Sequence, residues 1–352
     1  MYRRTLLKAI GAGCLSLAAG GARAAGAGDS QDVDPLAGVA VVDAHAHPDT
    51  FFSSRHTDLS STLESITALH MAASSFSAVG DRQTRAQGPW QTESMHAVRL
   101  QLDVVRDLAA AGKVRLIRSA MEIAPPAPRT PPGAILALEG AHPLGEDPDK
   151  VDTLHSQGVR LITLMHYAMS DLGDCMTCRS YHKGLSSGGR KIVERMQRLG
   201  ILADLAHADS RTSRQIVDVM DRPVVDSHTS LCPESDDGKC GRLRSWGDME
   251  HIAKKGGVIC TWPLAYTRPS AKRETFRDWA VELLEMKRRL GVEHLGIGTD
   301  GGGSLPALIQ GYRDVRDLAT LARTMREVGF SPEEIAAVFG GNFRRVFLQA
   351  VG

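Results

Sequence analysis

The sequence predicts one closed parallel barrel of the (β/α)8 class, and two observations support this. Short apolar runs alternate with amphipathic stretches, which is typical of a parallel sheet covered by helices. Several runs stop abruptly at ionisable side chains, and the strand ends are where α/β barrels place their chemistry. The eight runs, each interpreted as a buried strand, lie at about residues 39–46, 71–79, 133–138, 158–165, 200–206, 223–227, 257–262 and 294–299.

Helices are predicted between several strands from apolar side chains at three- and four-residue intervals. A further helix is expected to begin at Ser331, with Pro332 at its first position. The alternative fold, an open doubly wound sheet, would need a glycine-rich phosphate-binding turn after the first strand, and the sequence has none there. The ranges with helical periodicity are Ala97–Ala111, Gly189–Leu199, Ser213–Met220 and Trp279–Leu290.

The length and charge of the chain exclude several classes of protein. Residues 38–352 are predicted to form one barrel domain after a polar, glycine-rich linker at 25–37. The 42 basic and 41 acidic side chains leave no strong net charge, so no nucleic-acid partner is expected. No apolar run of about 18 residues occurs in the body of the chain, so no stable membrane insertion is expected.

The N-terminal segment has the character of an export signal. Residues 1–24 combine a basic start, a short apolar centre and an A-x-A ending, which is typical of a cleavable signal peptide. Arg3 and Arg4 resemble the paired arginines of bacterial twin-arginine signals, so a periplasmic or otherwise exported protein is expected. The alternatives are an ordinary Sec signal and, less favoured, a lipid anchor at Cys14.

The cysteines outside that segment number five, and an exported protein can oxidise them. Cys260 lies in an apolar run and is expected to be a buried free thiol. For the pair in Cys175-Met-Thr-Cys178, a structural disulfide is favoured over a redox motif or half of a zinc site, because no second CxxC occurs. The four cysteines in polar loops, which allow up to two disulfides, are Cys175, Cys178, Cys232 and Cys240.

Ionisable side chains stand at the C-terminal ends of six predicted strands. His45 and His47 end the first strand, and both imidazoles point to the same side because side chains alternate along a strand. The first and last strands of a closed barrel are neighbours, so Asp300 is expected to face this histidine pair. All the strand ends meet at one rim, which predicts a metal site there. The residues that end the other strands are Glu139, His166, His207, His228 and Asp300.

The motifs around these residues resemble the membrane (renal-type) dipeptidases, a zinc peptidase family of the amidohydrolase superfamily. The similarity runs from about Val41 to Phe347, and it depends on the order and spacing of motifs that are individually weak. These motifs are Asp43-Ala-His45, Leu138-Glu139-Gly140, Gly158 to His166, Gly200 to His207, Ser227-His228-Thr-Ser, Gly256-Gly-Val-Ile, Gly296 to Asp300 and Gly341-Asn-Phe-Arg-Arg-Val.

The resemblance implies two divalent metal ions, zinc in this family, and a role for each residue at the strand ends. His166 would polarise the scissile carbonyl, and Asp300 would handle the proton of a metal-bridging hydroxide that attacks it. The resemblance also implies a homodimer, for which the sequence itself has no signal. The ligands it implies are Glu139 as the bridge, His45 and His47 for one ion, and His207 and His228 for the other.

The family also has an arginine that binds the free carboxylate of the substrate, and this chain has two candidates for it. Counting back from Gly256 without gaps favours Arg242. An Arg-x-x-x-Asp spacing that ends at Asp248 favours Arg244. We prefer Arg242 and keep Arg244 as the alternative.

The sequence departs from the family at His47, where the family has aspartate. Losing one anionic ligand leaves the metal pair less neutralised, so it should acidify bound water further and bind less tightly. In the alternative arrangement His47 stands aside, and Asp43 or Asp49 substitutes weakly for it.

The residues and the resemblance together predict an exported metal-dependent dipeptidase that tolerates a D-residue at the C-terminal position of a small peptide. One alternative is a hydrolase on the same scaffold that acts on N-acyl amino acids, lactones or phosphoesters, which the His-x-His strand leaves open. A second alternative is a non-catalytic exported protein that binds metal or peptide. The complete set of ionisable residues argues against it.

Overall fold

Eight parallel strands form a nearly closed barrel in the computed structural model, as the sequence predicts. A short ninth strand pairs with one of these eight, and two others form a separate antiparallel hairpin. In chain order the strands are β1 Val42–Ala46, β2 Ala73–Val79, β3 Arg115–Leu116, β4 Gly133–Glu139, β5 Leu161–Thr163, β6 Leu202–Asp204, β7 Val225–Thr229, β8 Val258–Thr261, β9 Tyr266–Thr267, β10 Lys272–Arg273 and β11 Leu295–Ile297. The barrel order is β1-β2-β4-β5-β6-β7-β8-β11.

The structure describes residues 34–48, 62–81, 95–232, 241–267, 272–303 and 305–352. Pro35–Gly352 form one compact unit. Across the described ranges, none of the helices combines the length and the apolar character that crossing a bilayer requires. The predictions that fall outside the described residues are the signal peptide, most of the linker, and the roles of Cys14, Asp49 and Cys240.

The barrel closes where the first strand meets the last. The backbone N–H of Asp300 donates to the carbonyl of His45 (2.8 Å), and the N–H of His47 donates to the carbonyl of Gly301 (2.6 Å). The Asp43 carboxylate adds to this seam, because it accepts hydrogen bonds from the Thr299 amide (2.8 Å) and hydroxyl (2.6 Å). The predicted neighbourhood of the first and last strands is therefore confirmed.

Helices follow the strands and cover the barrel. A π-helical turn at Ala337–Gly341 joins the last two. In chain order the helices are α1 Leu63–Ala68, α2 Met95–Ala110, α3 Asp149–Ser156, α4 Ser187–Leu199, α5 Ser210–Val219, α6 Trp246–Lys254, α7 Phe276–Leu290, α8 Leu318–Glu327, α9 Pro332–Ala336 and α10 Asn342–Ala350.

Several helices begin up to one turn before the predicted residue, because their first turns are polar and carry no apolar periodicity. In α5 the Asp209 side chain caps the amide of Thr212, so the helix begins at Ser210. In α7 Thr275 and Asp278 form a reciprocal capping box. The predicted start of α9 is confirmed, with Ser331 as the cap and Pro332 in the first turn.

Apolar side chains fill two regions, one between the strands and the helices and one inside the barrel. The inner cluster takes one or two side chains from each of the eight barrel strands except β11, including Val42, Leu161 and Cys260. Phe343 and Phe347 of α10 join it. Cys260 is a buried free thiol, as predicted.

Candidate metal centre

The ends of five strands bring six ionisable side chains together in a buried cluster. Each of the six residues is less than one-tenth exposed. His45 and His47 come from the end of β1, Glu139 from the end of β4, and His228 from β7. The remaining two, His207 and Asp300, follow β6 and β11 in the chain.

Glu139 lies at the centre of this cluster. Its Oε1 is 3.0 Å from Nε2 of His207 and 3.3 Å from Nε2 of His45. The same oxygen is 3.6 Å from Nε2 of His228, and Oε2 is 3.4 Å from Nε2 of His47. One carboxylate therefore contacts two separate pairs of imidazoles, which is the arrangement that a bridging ligand requires.

The imidazoles form two pairs whose Nε2 atoms face each other. The distance is 3.2 Å between His45 and His47, and 3.1 Å between His207 and His228. Asp300 stands beside the first pair, with its Oδ1 at 3.6 Å from Nε2 of His47. Two groups in the described chain that could hold a cation are His45, His47 and Asp300, and Glu139, His207 and His228.

The hydrogen bonds behind the imidazoles suit metal ligation. Nδ1 of His47 lies 2.9 Å from the carbonyl oxygen of Ser77, which can only accept, so Nδ1 carries the proton and the Nε2 lone pair faces the site. Nδ1 of His228 lies 2.9 Å from the Ser227 hydroxyl. Such outer hydrogen bonds fix the tautomer of a ligating histidine, so this donor set fits a divalent ion such as zinc.

His47 and Asp43 differ in what they face. His47 points its Nε2 at the Glu139 carboxylate, whereas the Asp43 oxygens bind the Thr299 amide and hydroxyl and the His45 amide. The geometry does not favour the alternative in which Asp43 replaces His47.

Burial and neighbouring charges prepare these groups for a cation. Burial and nearby positive groups lower the pKa of His207 and His228 well below the usual value, so both imidazoles stay neutral. Although burial favours its acid form, the nearby histidines hold the pKa of Glu139 well below its usual value. Burial opposes the charged form of His45, but Glu139 raises its pKa to about 9, so a cation has to displace a proton there.

Two residues of the cluster have a left-handed backbone. The φ angles are +65° at His207 and +50° at Asp300, a region that side chains other than glycine rarely adopt. Strain of this kind is typical of functional sites, where the surrounding structure holds it in place. The backbone of Gly303 also approaches the Asp300 carboxylate closely. A Cβ at this position would lie only 1.9 Å from Oδ1 of Asp300, so there is no room for a side chain.

His166 stands beside the cluster, with Nε2 3.4 Å from Oε2 of Glu139. Its Nδ1 lies 2.6 Å from Oδ1 of Asp81, a buried residue that our interpretation of the sequence missed. Asp81 follows β2 after a single glycine, so the rule applied to six other strand ends would have found it. Although burial lowers the pKa of His166, Glu139 and Asp81 raise it above the usual value.

The two arginine candidates have different surroundings. Arg244 is fully buried, and its guanidinium donates to Asp226 Oδ2 (2.5 Å) and to the carbonyls of Ala208 (2.7 Å) and Leu205. Arg242 is half-buried, and its Nε and Nη2 are buried without a hydrogen-bond partner among the described residues. Unlike Arg244, Arg242 therefore has guanidinium nitrogens that no described residue already pairs.

The predicted Cys175–Cys178 disulfide is confirmed, and its loop packs on the site. The amide of Met176 donates to the carbonyl of His207 (2.7 Å), and its Sδ lies 3.5 Å from Nη1 of Arg242. The Arg242 guanidinium also stacks over the Trp262 ring at 5.3 Å. No sequence pattern indicated these three contacts. Outside this loop, Cys232 is also disulfide-bonded.

Sequence comparisons place the chain among peptidases. The family model described as "Membrane dipeptidase (Peptidase family M19)" matches residues 37–351. Dipeptidase tcpJ of Claviceps purpurea is 29% identical over 223 residues, which cover 61% of this chain and 50% of that protein. Dipeptidase 3 of Mus musculus is 29% identical over 287 residues, which cover 77% of this chain and 55% of that protein. The chain thus spans little more than half the length of these curated relatives.

Solved structures share the fold. An amidohydrolase from Pseudomonas aeruginosa matches with a TM-score of 0.75 and 20% identity, covering 91% of this chain and 98% of that one. A metallopeptidase from Rhodobacter sphaeroides, solved with a phosphinate mimic of the dipeptide L-Ala-D-Ala, matches with a TM-score of 0.74 and 19% identity. The latter match covers 89% of this chain and 99% of that one.

Proposed function

We propose that this chain, which belongs to the membrane dipeptidase family (peptidase family M19), hydrolyses dipeptides with two divalent metal ions, zinc in the first instance. The observation that carries the proposal is the Glu139 carboxylate, which contacts a histidine pair on each side. His45 and His47 would hold one ion, and His207 and His228 the other. Family membership supports peptide-bond chemistry at this site.

The residues around the ions would perform the acid–base work. Bound divalent ions polarise a carbonyl and lower the pKa of a water molecule. Asp300, beside the first histidine pair, would take a proton from the nucleophile and deliver it to the departing amine. Burial raises the pKa of Asp300, and the neighbouring His45 offsets only part of this rise. His166 would donate a hydrogen bond from Nε2 to the carbonyl oxygen as negative charge develops there, and this requires the imidazolium form, because the Nδ1 proton is already bonded to Asp81.

Arg242 would select substrates that end in a free carboxylate. Its unpaired Nε and Nη2 can donate two hydrogen bonds to one carboxylate, and contacts with Trp262 and Met176 hold the guanidinium in place. A carboxylate held close to the metal ligands limits the substrate to short peptides. The phosphinate mimic of L-Ala-D-Ala that the Rhodobacter sphaeroides metallopeptidase binds supports testing a D-residue at the C-terminal position.

Arg242→Ala is expected to raise KM for dipeptides about 10- to 100-fold, because a charge-assisted contact contributes roughly 1.5–3 kcal/mol. The turnover number kcat should change less, since this contact exists before and during the reaction. The KM values of dipeptides and of their C-terminal amides should differ strongly for the wild type and only weakly for this variant. Arg190→Ala, on the exposed side of α4, serves as the control. An unchanged preference for the free carboxylate would contradict the role of Arg242.

Gly303→Ala is expected to lower kcat about 100-fold, because a displacement of about 1 Å at a reacting group has effects of this size. The added methyl group would overlap Oδ1 of Asp300, so the carboxylate has to move. The matched control is Gly341→Ala, where the new Cβ meets its nearest atom at an ordinary 3.5 Å. Steady-state kinetics of both variants decide the outcome. Equal kcat values would show that Gly303 does not position Asp300.

The activity itself is tested with purified protein loaded with zinc, manganese or cobalt and assayed for amino-acid release. The panel contains L-Ala-L-Ala, L-Ala-D-Ala, N-acetyl amino acids, a lactone and a phosphoester, with Asp300→Asn as the control. Release from dipeptides above that control, lost on chelation and restored by metal, is the expected result. Elemental analysis should find two metal ions per chain.

Two other outcomes would replace the proposal. Turnover of N-acyl amino acids, the lactone or the phosphoester without dipeptides would make the protein a different hydrolase on the same scaffold. Bound metal with no turnover of any substrate would indicate a protein that only binds metal or peptide.

We also propose that the protein is exported through a twin-arginine signal, because Arg3 and Arg4 precede a short apolar stretch and an A-x-A ending. Cell fractionation of a bacterial host should find the wild-type protein outside the cytoplasm. Replacing both arginines with lysine should retain it inside. Export that persists in this variant would favour an ordinary Sec signal.

A further inference from the structure

We infer that Asp81 is a positioning residue, which holds His166 by hydrogen bonds so that Nε2 of the imidazole faces the metal ligands and the substrate. The expected effect on catalysis rests on the proposed function. The hydrogen bonds between Asp81 and the His166 segment rest on the geometry alone. Neither Asp81 nor its segment belongs to the motifs that predicted the site.

The first step is the contact between the two side chains. Oδ1 of Asp81 lies 2.6 Å from Nδ1 of His166, and the Asp81 side chain is 1% exposed. A short contact between a buried carboxylate and a ring nitrogen is a charge-assisted hydrogen bond, with Nδ1–H as the donor. The proton on Nδ1 is thereby fixed, and the opposite nitrogen lies 3.4 Å from Oε2 of Glu139.

The second step concerns the other oxygen of the same carboxylate. Oδ2 of Asp81 accepts hydrogen bonds from the backbone amides of Tyr167 and Ala168, both at 3.1 Å. The carboxylate therefore fixes the ring of His166 and the backbone that follows it. One side chain at the end of β2 thus sets the position of a ring at the end of β5 and keeps a proton on its Nδ1.

The third step is what the ring would lose without Asp81. The His166 side chain is 13% exposed, and its remaining ring neighbours are Tyr167 and His207, at 4.6 and 4.5 Å between centroids. These aromatic contacts restrict the ring but do not hold Nδ1 in one direction. Nε2 reaches the substrate only while the ring keeps the orientation that the Asp81 hydrogen bonds set, so Asp81 determines whether His166 can act.

The decisive variant is Asp81→Asn, which keeps the shape of the side chain. Its amide oxygen can still accept from the two backbone amides, but its NH2 group would face Nδ1 of His166 and reverse the hydrogen bond. We expect kcat for the best dipeptide to fall about 10- to 100-fold, as for other residues that orient a group at a metal site. KM should change by less than about threefold, because substrate binding depends on Arg242. An unchanged kcat would overturn the inference.

A spectroscopic measurement tests the hydrogen bond without any substrate. Long-range 1H–15N correlation spectra of the metal-loaded protein labelled with 15N-histidine identify which ring nitrogen carries a proton, and His166→Gln assigns the signal. We expect a protonated Nδ1 in the wild type and an unprotonated Nδ1 in Asp81→Asn. An unprotonated Nδ1 in the wild type would overturn the inference even if the variant failed to fold.

Asp174→Asn is the matched control. Asp174 is another buried carboxylate of the loop after β5, and it accepts hydrogen bonds from the amides of Tyr181, His182 and Gly184 without contacting His166. This variant should lose stability and keep both kcat and the His166 spectrum. Equal losses of kcat in the two variants would mean that loop rigidity alone matters, which would overturn the inference.

The kinetic and spectroscopic results separate the two proposals. A wild type that cleaves no dipeptide would reject the proposed function. A protonated Nδ1 that disappears in Asp81→Asn would still support the assignment of Asp81.

Discussion

Replacing Asp300 with asparagine is expected to lower kcat for dipeptides by about 10²- to 10⁴-fold, the range that removal of a general acid or base produces. The carboxamide has nearly the same shape, but it cannot take a proton from the nucleophile. Asp300 reaches the first histidine pair at 3.6 Å from His47 and 4.0 Å from His45, so its position suits proton transfer near the metal ions.

The measurement combines kcat, metal content and melting temperature for wild type and variant. Asp218→Asn, an exposed carboxylate far from the cluster with a 64% exposed side chain, controls for the loss of one charge. We expect Asp300→Asn to keep its fold and lose turnover. A variant with two bound metal ions and wild-type kcat would show that another group carries the proton.

Replacing Arg244 with methionine is expected to destabilise the protein by about 3–5 kcal/mol, because removing one partner leaves the other buried and uncompensated. Arg244 and Asp226 are both fully buried, and their side chains are in direct contact. The carbonyls of Leu205 and Ala208 would also lose their hydrogen bonds to the guanidinium.

Urea unfolding of the metal-free protein measures this effect. Arg242→Met is the matched comparison, since its guanidinium makes fewer hydrogen bonds, and it should cost much less stability. Combining Arg244→Met with Asp226→Leu should recover part of the loss, because it removes the unpaired charge. Equal stability of the two single variants would contradict the distinct roles that we assign to the arginines.

Much of the fold could be predicted because the signals were local and repeated. Each barrel strand is an apolar run, and the pattern of eight such runs with helices between them has few structural solutions. The positions of His45, Glu139, His207 and Asp300 followed from one rule about strand ends. The precise starts of helices did not follow, because their polar first turns are defined by caps such as Asp209.

Other features depend on contacts that no local pattern records. Arg242 and Arg244 lie two residues apart in one loop, and their different contacts distinguish them, above all the pairing of Arg244 with the buried Asp226 on β7. Spacing could favour either arginine, but it could not show which one is already paired. Asp81 was missed for a different reason. The strand before it contains three serines and is followed by Gly80, so its end is less sharply marked than the ends of the other strands.

The seam of the barrel links folding to the metal centre. The backbone groups that join the first strand to the last belong to His45, His47, Asp300 and Gly301, and the nearby contact of Asp43 with Thr299 spans 256 residues of sequence. Such distant pairing carries a large loop-closure entropy, so it is expected to form late in folding. Metal binding should therefore occur only after the first and last strands have paired. By mass action, the bound metal should then stabilise the closed barrel.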